Sequence, residues 1–210
     1  MQASLSVSVS MAGITASSTQ TRTEDGLSGV TPTCAPAVAG ELTTRNSASA
    51  GVITVTSTDL VTGDKAILTW VATNGDLEHR YNVDVTVATT TITFTGGAGD
   101  DLPALNSDIN VGIQTQANVT FDFDDVDTFC ITTNVRGVIA FMDTDDTEKL
   151  VVDMDAKGIA LWTRDTGFPE PMSGTPITYI LYGSGDTSTT DFAPKVLALY
   201  DATDPSGSGQ

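Results

Sequence analysis

The sequence predicts an all-β protein: an antiparallel β-sandwich of the jelly-roll or Ig-like kind, with a small SH3-like β-barrel inserted in it or appended to it. Three observations carry that expectation. Apolar and polar residues alternate with period two along most of the 210-residue chain, and no window of a dozen residues holds a helical stripe. The alternating runs are rich in β-branched and aromatic residues, which fit a pleated surface. Each run is closed by Gly, Asn, Asp or Pro at a spacing of about ten residues, as in sandwiches and barrels.

In chain order, "SLSVSVSM" comes first, with Leu5, Val7, Val9 and Met11 on one face. It has no basic leading region and no unbroken apolar run, so a strand is expected there rather than a signal peptide. "ASSTQTRTEDGLSG" from Ala16 and "TCAPAVAGELTTRNSASA" from Thr33 mix small polar residues with Gly and Pro. Both are expected to be loops or an arm.

Four strong strands follow between Gly51 and Ser107: "GVITVTS" from Gly51, "KAILTWVAT" from Lys65, "RYNVDVTVA" from Arg80 and "TTITFTG" from Thr90. Asn74-Gly75 between two of them signals a hairpin, because both residues accept positive φ. Trp70 ends "AILTW" in phase with Leu68, and the two are expected to pack together. Residues 51–107 are therefore expected to form the small barrel, residues 1–50 with 108–204 the sandwich, and residues 205–210 a flexible tail. Two domains in series is the rival layout. "RGVIAFMD" from Arg136, "ITYILYG" from Ile177 and "KVLALYD" from Lys195 are clear strands of the later part.

Composition narrows the function. Acids outnumber lysine and arginine 27 to 9, giving a net charge of −18. Such a chain repels phosphate backbones, so no nucleic-acid partner is expected. It favours solubility and docking to basic surfaces or divalent cations. No apolar stretch is long enough to span a membrane as a helix. Cys34 and Cys130 are too few for a disulfide scaffold and wrongly spaced for zinc. They are expected to be part-buried, reduced thiols, with a single staple between them as the alternative.

The densest acidic stretch is "FDFDDVDTF", residues 121–129. Alternation would turn Phe121 and Phe123 inward and Asp122 and Asp124 outward; the phase slips at Asp124-Asp125, which suits a bulge or turn. Neither this stretch nor "MDTDDTEKL" from Met142 fits a calcium-binding EF-hand loop: counted from Asp122 the fifth position is Val126, and counted from Asp143 the twelfth is Met154. Calcium could still relieve repulsion within Asp122 to Asp127 or Asp143 to Asp146, but no specific metal is expected. "GGAGDDLPA", residues 96–104, opens like a calcium-binding β-helix repeat. Pro103 then falls where an apolar ladder residue is needed, and a lone copy has no stacked neighbour. A glycine-rich turn after "TITFT" is expected instead.

His79 is the only histidine, and no G-x-S-x-G accompanies it, so a partly exposed structural role is expected. Phosphate-binding and dinucleotide-binding glycine motifs are missing. Carboxylates are plentiful enough for glycoside hydrolysis, yet no pair stands out. Trp70 and Trp162 could form a sugar platform, Trp162 in "IALWTRD" being the better candidate for exposure; core or edge packing is the expectation for both. No catalytic residue, cofactor or metal site is therefore expected, and assembly or adhesion remains.

One resemblance sharpens this. "TDLVTGDKAILTW", then "YNVDVTV" and "TITFTGGAGDDLPALNS", is similar to the small β-barrel modules embedded in tailed-bacteriophage virion proteins. The likeness covers about sixty residues, Gly51 to Ser107, and rests on fold-level analogy. It implies a non-enzymatic virion component, a capsid decoration protein or a tail subunit, assembled in the host cytoplasm. Its expected partners are copies of itself and other virion proteins. The alternative is a carbohydrate-binding or adhesin module.

Overall fold

Every strand needs a neighbour for its backbone N–H and C=O groups, so alternation alone does not fix the architecture; pairing does. The computed structural model describes residues 2–11, 14–23, 27–121, 126–163 and 176–200, and every regular element among them is a strand. β1 (Gln2–Met11) and β2 (Ile14–Thr23) form a two-stranded antiparallel ribbon, in register from Gln2 opposite Thr23 to Met11 opposite Ile14. The segment from Ala16, expected as a loop, thus lies largely in a strand whose ladder β1 supplies. β3 (Leu27–Val30) follows.

The barrel uses β4 (Val38–Arg45), β5 (Ala50–Val55), β6 (Lys65–Val71), β7 (Leu77–Ala88), β8 (Thr91–Thr95), the two-residue β9 (Ala98–Gly99) and β10 (Asp108–Ile113). Six of these close an antiparallel ring in the order β6-β10-β4-β5-β8-β7, sealed by the β6–β7 pairing, with β9 added beside β7. The ring extends past both ends of the segment 51–107, because β4 and β10 are two of its walls. β4 lies in the segment from Thr33 that was expected to be a loop. Only Leu42 of its eight residues is fully buried, and its burial alternates no further than that residue, so its sequence gives a weak strand signal; β5 and β10 supply its ladder.

Side-chain phase then divides the barrel wall. Ala66, Leu68 and Trp70 of β6 point into the barrel core with Ile92 and Phe94, as the phase of Trp70 predicts, while Ile67 points outward to the sandwich. Opposite Ile67, the β6–β7 register shifts: Val83 pairs with Ala66 and Arg80 with Leu68, so Tyr81 and Asn82 share one partner position. Asn82 takes a φ of 57° there. This bulge turns Tyr81 out of the barrel. The β6–β7 connection is longer than a two-residue turn, running from Ala72 to Asp76. Gly75 alone takes the positive φ, at 91°, while the Asn74 side chain accepts from Asp76 N at 3.1 Å and donates to its carboxylate at 2.7 Å.

The sandwich uses β11 (Thr115–Phe121), β12 (Val126–Thr132), β13 (Gly137–Met142), β14 (Glu148–Met154), β15 (Ile159–Thr163), β16 (Ile177–Ser184) and β17 (Lys195–Tyr200). Its front sheet is β11-β16-β13-β14 and its back sheet β15-β12-β17-β3. Phe129, Ile131, Phe141, Ile180, Phe192 and Val196 fill the space between them. Phe129 and Phe141 meet edge-to-face with centroids 5.5 Å apart, a favoured aromatic geometry. Asp124 and Asp125, where a bulge was expected, lie outside the described residues; the β12–β17 register shifts just beyond them, between Val126 and Thr128.

The middle of the front sheet is covered on both faces, while Gln116, Asn118 and Thr120 of its outer strand β11 stay exposed. All six residues of β13 are buried: Ile139 and Phe141 face the back sheet, while Val138, Ala140 and Met142 meet Ile67 and Tyr81 of the barrel. Glycines bring the two layers into touch. A Cβ on Gly183 would lie 2.7 Å from Ile67 Cδ1, and one on Gly112 would lie 2.3 Å from Ser184 O, so neither position has room for a side chain. The order is barrel, sheet, sheet.

A doubly covered β13 makes a prediction that a one-sided strand would not. Ile139→Lys and Val138→Lys should each abolish the cooperative urea transition, since each buries an unpaired charge. Were the barrel-side face wet, Val138→Lys would stay within about 0.5 kcal/mol of the parent.

Candidate functional site

The chemistry-bearing side chains gather around the rim of the barrel–sandwich contact. On β7 the Tyr81 hydroxyl donates to the Glu148 carboxylate of β14. His79 lies against Tyr81 with ring centroids 6.2 Å apart. Its Nδ1 is 2.9 Å from Asp153 Oδ2, also on β14, and 3.8 Å from Asp100 Oδ2 in the loop after β9. Burial disfavours the imidazolium, but the hydrogen bond and charge of Asp153, with Asp100 and Glu148 behind it, outweigh that and raise the His79 pKa above 6.5. Burial first, then the Glu148 contact, pushes the Tyr81 phenol upward as well. The partners of the His79 ring are thus carboxylates, of which Asp153 ties barrel to sandwich, and no serine stands beside it among the described hydrogen bonds.

"MDTDDTEKL" forms the tight β13–β14 turn at this rim. Asp143 is buried, and its Oδ1 accepts from Asp145 N at 2.8 Å and Thr147 N at 2.9 Å. Its Oδ2 lies 3.1 Å from Lys149 Nζ. The Thr147 amide leads the effects that hold its pKa below the usual carboxylate value. Asp146 accepts from the Tyr179 hydroxyl at 2.7 Å; burial and that bond push Tyr179 up to about 12. These acids are engaged in turn geometry and cross-strand bonds. Among the described residues no group of three or more metal-ligating side chains converges, and the side chains of Asp122, Asp124, Asp125 and Asp127 lie outside that description.

The glycine-rich turn also finds its purpose here. Arg80 is 7% exposed, and its guanidinium donates to four backbone carbonyls: Gly96 O at 2.9 Å, Gly97 O at 3.4 Å, Gly99 O at 3.2 Å and Asp100 O at 2.6 Å. To wrap a cation so closely the chain adopts positive φ at Gly96, Gly97 and Gly99, where other residues are strained. A Cβ on Gly97 would also strike Tyr81 O at 2.4 Å. The G-G-x-G-x-D string that imitates a calcium repeat is thus a carbonyl cage for an arginine. Sequence reading missed this, because nothing in a string marks Arg80 and a turn sixteen residues later as partners.

An open cleft of about 430 Å³ forms another part of the contact. Asn110 comes from the barrel; Arg136, Asp155, Ala156, Gly185, Asp186 and Thr187 come from the sandwich. Asn110 Nδ2 donates to Gly185 O at 2.9 Å, and Arg136 pairs with Asp155 at 3.2 Å. No histidine or cysteine lines it. Its Arg, Asn and Asp groups could exchange hydrogen bonds with a hydroxylated molecule. These residues are far apart in the sequence and none stood out there.

The remaining candidates are core. Cys34 and Cys130 are buried and unpaired with each other; desolvation raises both thiols, Cys34 to about 11, which keeps them protonated and unreactive. Trp162, the better candidate for exposure, is half-buried and stacks on Phe129 with centroids 5.7 Å apart. Trp70 is buried and its indole N–H donates to Glu78 at 2.5 Å. Neither indole presents an open platform. Compared with known proteins, the chain matches no family model and no curated protein.

Two outcomes follow from this geometry. Arg80→Ala should destabilise the fold by at least about 3 kcal/mol in urea titration, because charge-assisted bonds are worth about 1.5–3 kcal/mol each and their loss strands buried carbonyls. Arg80→Lys should recover only part, since an ammonium lacks the planar fork. His79, with its pKa raised by folding, adds stability that is complete below pH 6.5 and fades as pH rises through the folded value. Relative to His79→Gln, the parent's melting-temperature advantage should therefore be largest in mild acid and shrink toward alkaline pH. An advantage that grows with pH would contradict the assignment.

Proposed function

We propose that the chain is a non-enzymatic structural protein of a phage virion, assembling as a symmetric oligomer on the capsid as a decoration protein or in the tail. One observation carries this reading: the groups best suited to chemistry are used to fasten the barrel to the sandwich. His79, Tyr81, Asp153 and Glu148 bridge the layers, Arg80 is spent on its carbonyl cage, and Asp143 caps its own turn. What results is a block whose polar interior serves shape rather than turnover. The barrel and its glycine-rich exit also support the likeness to embedded barrels of tailed-phage virion proteins, at the level of fold. The net charge of −18 weighs against nucleic acid as a partner; other virion proteins and copies of the chain are the proposed ones.

A carbohydrate-binding or adhesin role is the second reading, favoured by the cleft of Asn110, Arg136, Asp155 and Asp186. Trp162 gives it little help while stacked on Phe129.

Quantitative mass spectrometry of particles purified from cells producing the chain separates the readings. The virion reading expects a fixed copy number per particle, unchanged by Arg136→Ala. Absence from every particle, with glycan-array binding that Arg136→Ala removes, would overturn it in favour of the second.

A further inference from the structure

With 27 acids against 9 bases, two copies of this chain repel wherever acidic surfaces meet. Contact between copies is least opposed where a surface carries no acid. Residues 1–23 hold Arg22 and no acid; residues 156–164 hold Lys157 and Arg164 and no acid. Both tracts are also edges. β1 and β2 pair with each other and with no other described strand, and β15 is an outer strand of the back sheet.

An outer strand is ordinarily protected by an inward charge, a proline or a bulge. β15, "IALWT", carries none of these. Its Ala160 packs into the sandwich core, while Ile159 and Leu161 face outward, 59% and 39% exposed. The ribbon has the reverse need. A two-stranded hairpin alone is marginal in water. Its register sets Leu5, Val7, Val9 and Met11 beside Gln20, Ser18, Ala16 and Ile14, leaving Ser and Thr at nearly all alternate positions. By sequence and register, one face of the ribbon holds nearly all of its apolar residues, with Ser18, Gln20 and Arg22 among them, and the other is hydroxylated.

We propose that the ribbon of one copy adds to β15 of a second copy, with β1 extending the back sheet and its apolar positions covering Ile159 and Leu161. Strand addition of this kind draws affinity from main-chain hydrogen bonds and specificity from alternate side chains. The inference rests on the assembly reading and names the contact through which copies join.

Two variants of the full chain, Val7→Cys and Leu161→Cys, are mixed and oxidised, so that only an intermolecular contact can link them. Buried Cys34 and Cys130 stay out of the reaction. The expected result is a covalent dimer in this mixture, repeated with Ile159→Cys, and none when Val7→Cys is mixed with Val71→Cys on the exposed barrel wall. Removing residues 1–23 should also lower the sedimentation mass to that of a single chain. An oligomer that keeps its mass after the removal, or a mixture that gives no covalent dimer with either β15 variant, overturns the ribbon contact while leaving assembly intact. A full chain that sediments as a monomer at every concentration removes both.

Discussion

Everything in this molecule is arranged about a strand with no wet side. β13, Gly137–Met142, buries all six residues, so it belongs to two cores at once. Antiparallel sheets commonly leave one face to solvent; here the barrel replaces that solvent. Ile67 and the bulge-directed Tyr81 reach across to Val138, Ala140 and Met142, and Gly183 and Gly112 let the backbones come close enough for that contact to exist. Without the barrel, the front sheet would present a large apolar face to water, the kind of patch that monomeric proteins avoid.

The polar rim follows from that apolar centre. Carboxylates are abundant, so the scarce hydrogen-bond donors decide which acids become structural. His79 takes Asp153, Tyr81 takes Glu148, Tyr179 takes Asp146 and Lys149 takes Asp143. Each donor acquires a raised pKa or a neutralising neighbour, and Asp143 and Asp153 each gain a basic partner. Arg80 is satisfied differently. Its charge is met by neutral carbonyl dipoles, which leaves the Asp100 carboxylate to accept from the His79 amide at 3.0 Å.

Much of the fold was legible in the sequence because period two is a local signal. The strands from Gly51, Lys65, Arg80, Thr90, Arg136, Ile177 and Lys195 all fall in observed strands, and the Trp70–Leu68 phase holds. What could not be read was anything set by a distant partner. β4 has one fully buried residue and earns its strand from two neighbours, so it looked like a loop. Asn74-Gly75 marked a turn correctly but not its length, since Asn74 works through its side chain rather than its backbone. The site was less legible still. His79 gave no hint of Asp153 seventy-four residues away, and the cleft joins residues from four separate stretches. The near-continuous apolar run "GVIAFM" was the one visible sign of double burial.

The central claim is that barrel and sandwich are one cooperative body because β13 serves both. Native-state hydrogen exchange as a function of denaturant tests it most directly. The amides of Leu68 in the barrel wall, Ala140 in β13 and Ile131 in the back sheet should merge onto one global unfolding isotherm. If the Leu68 amide instead exchanges through a separate, lower-energy opening while Ile131 stays protected, the barrel is an independent appendage and the account fails.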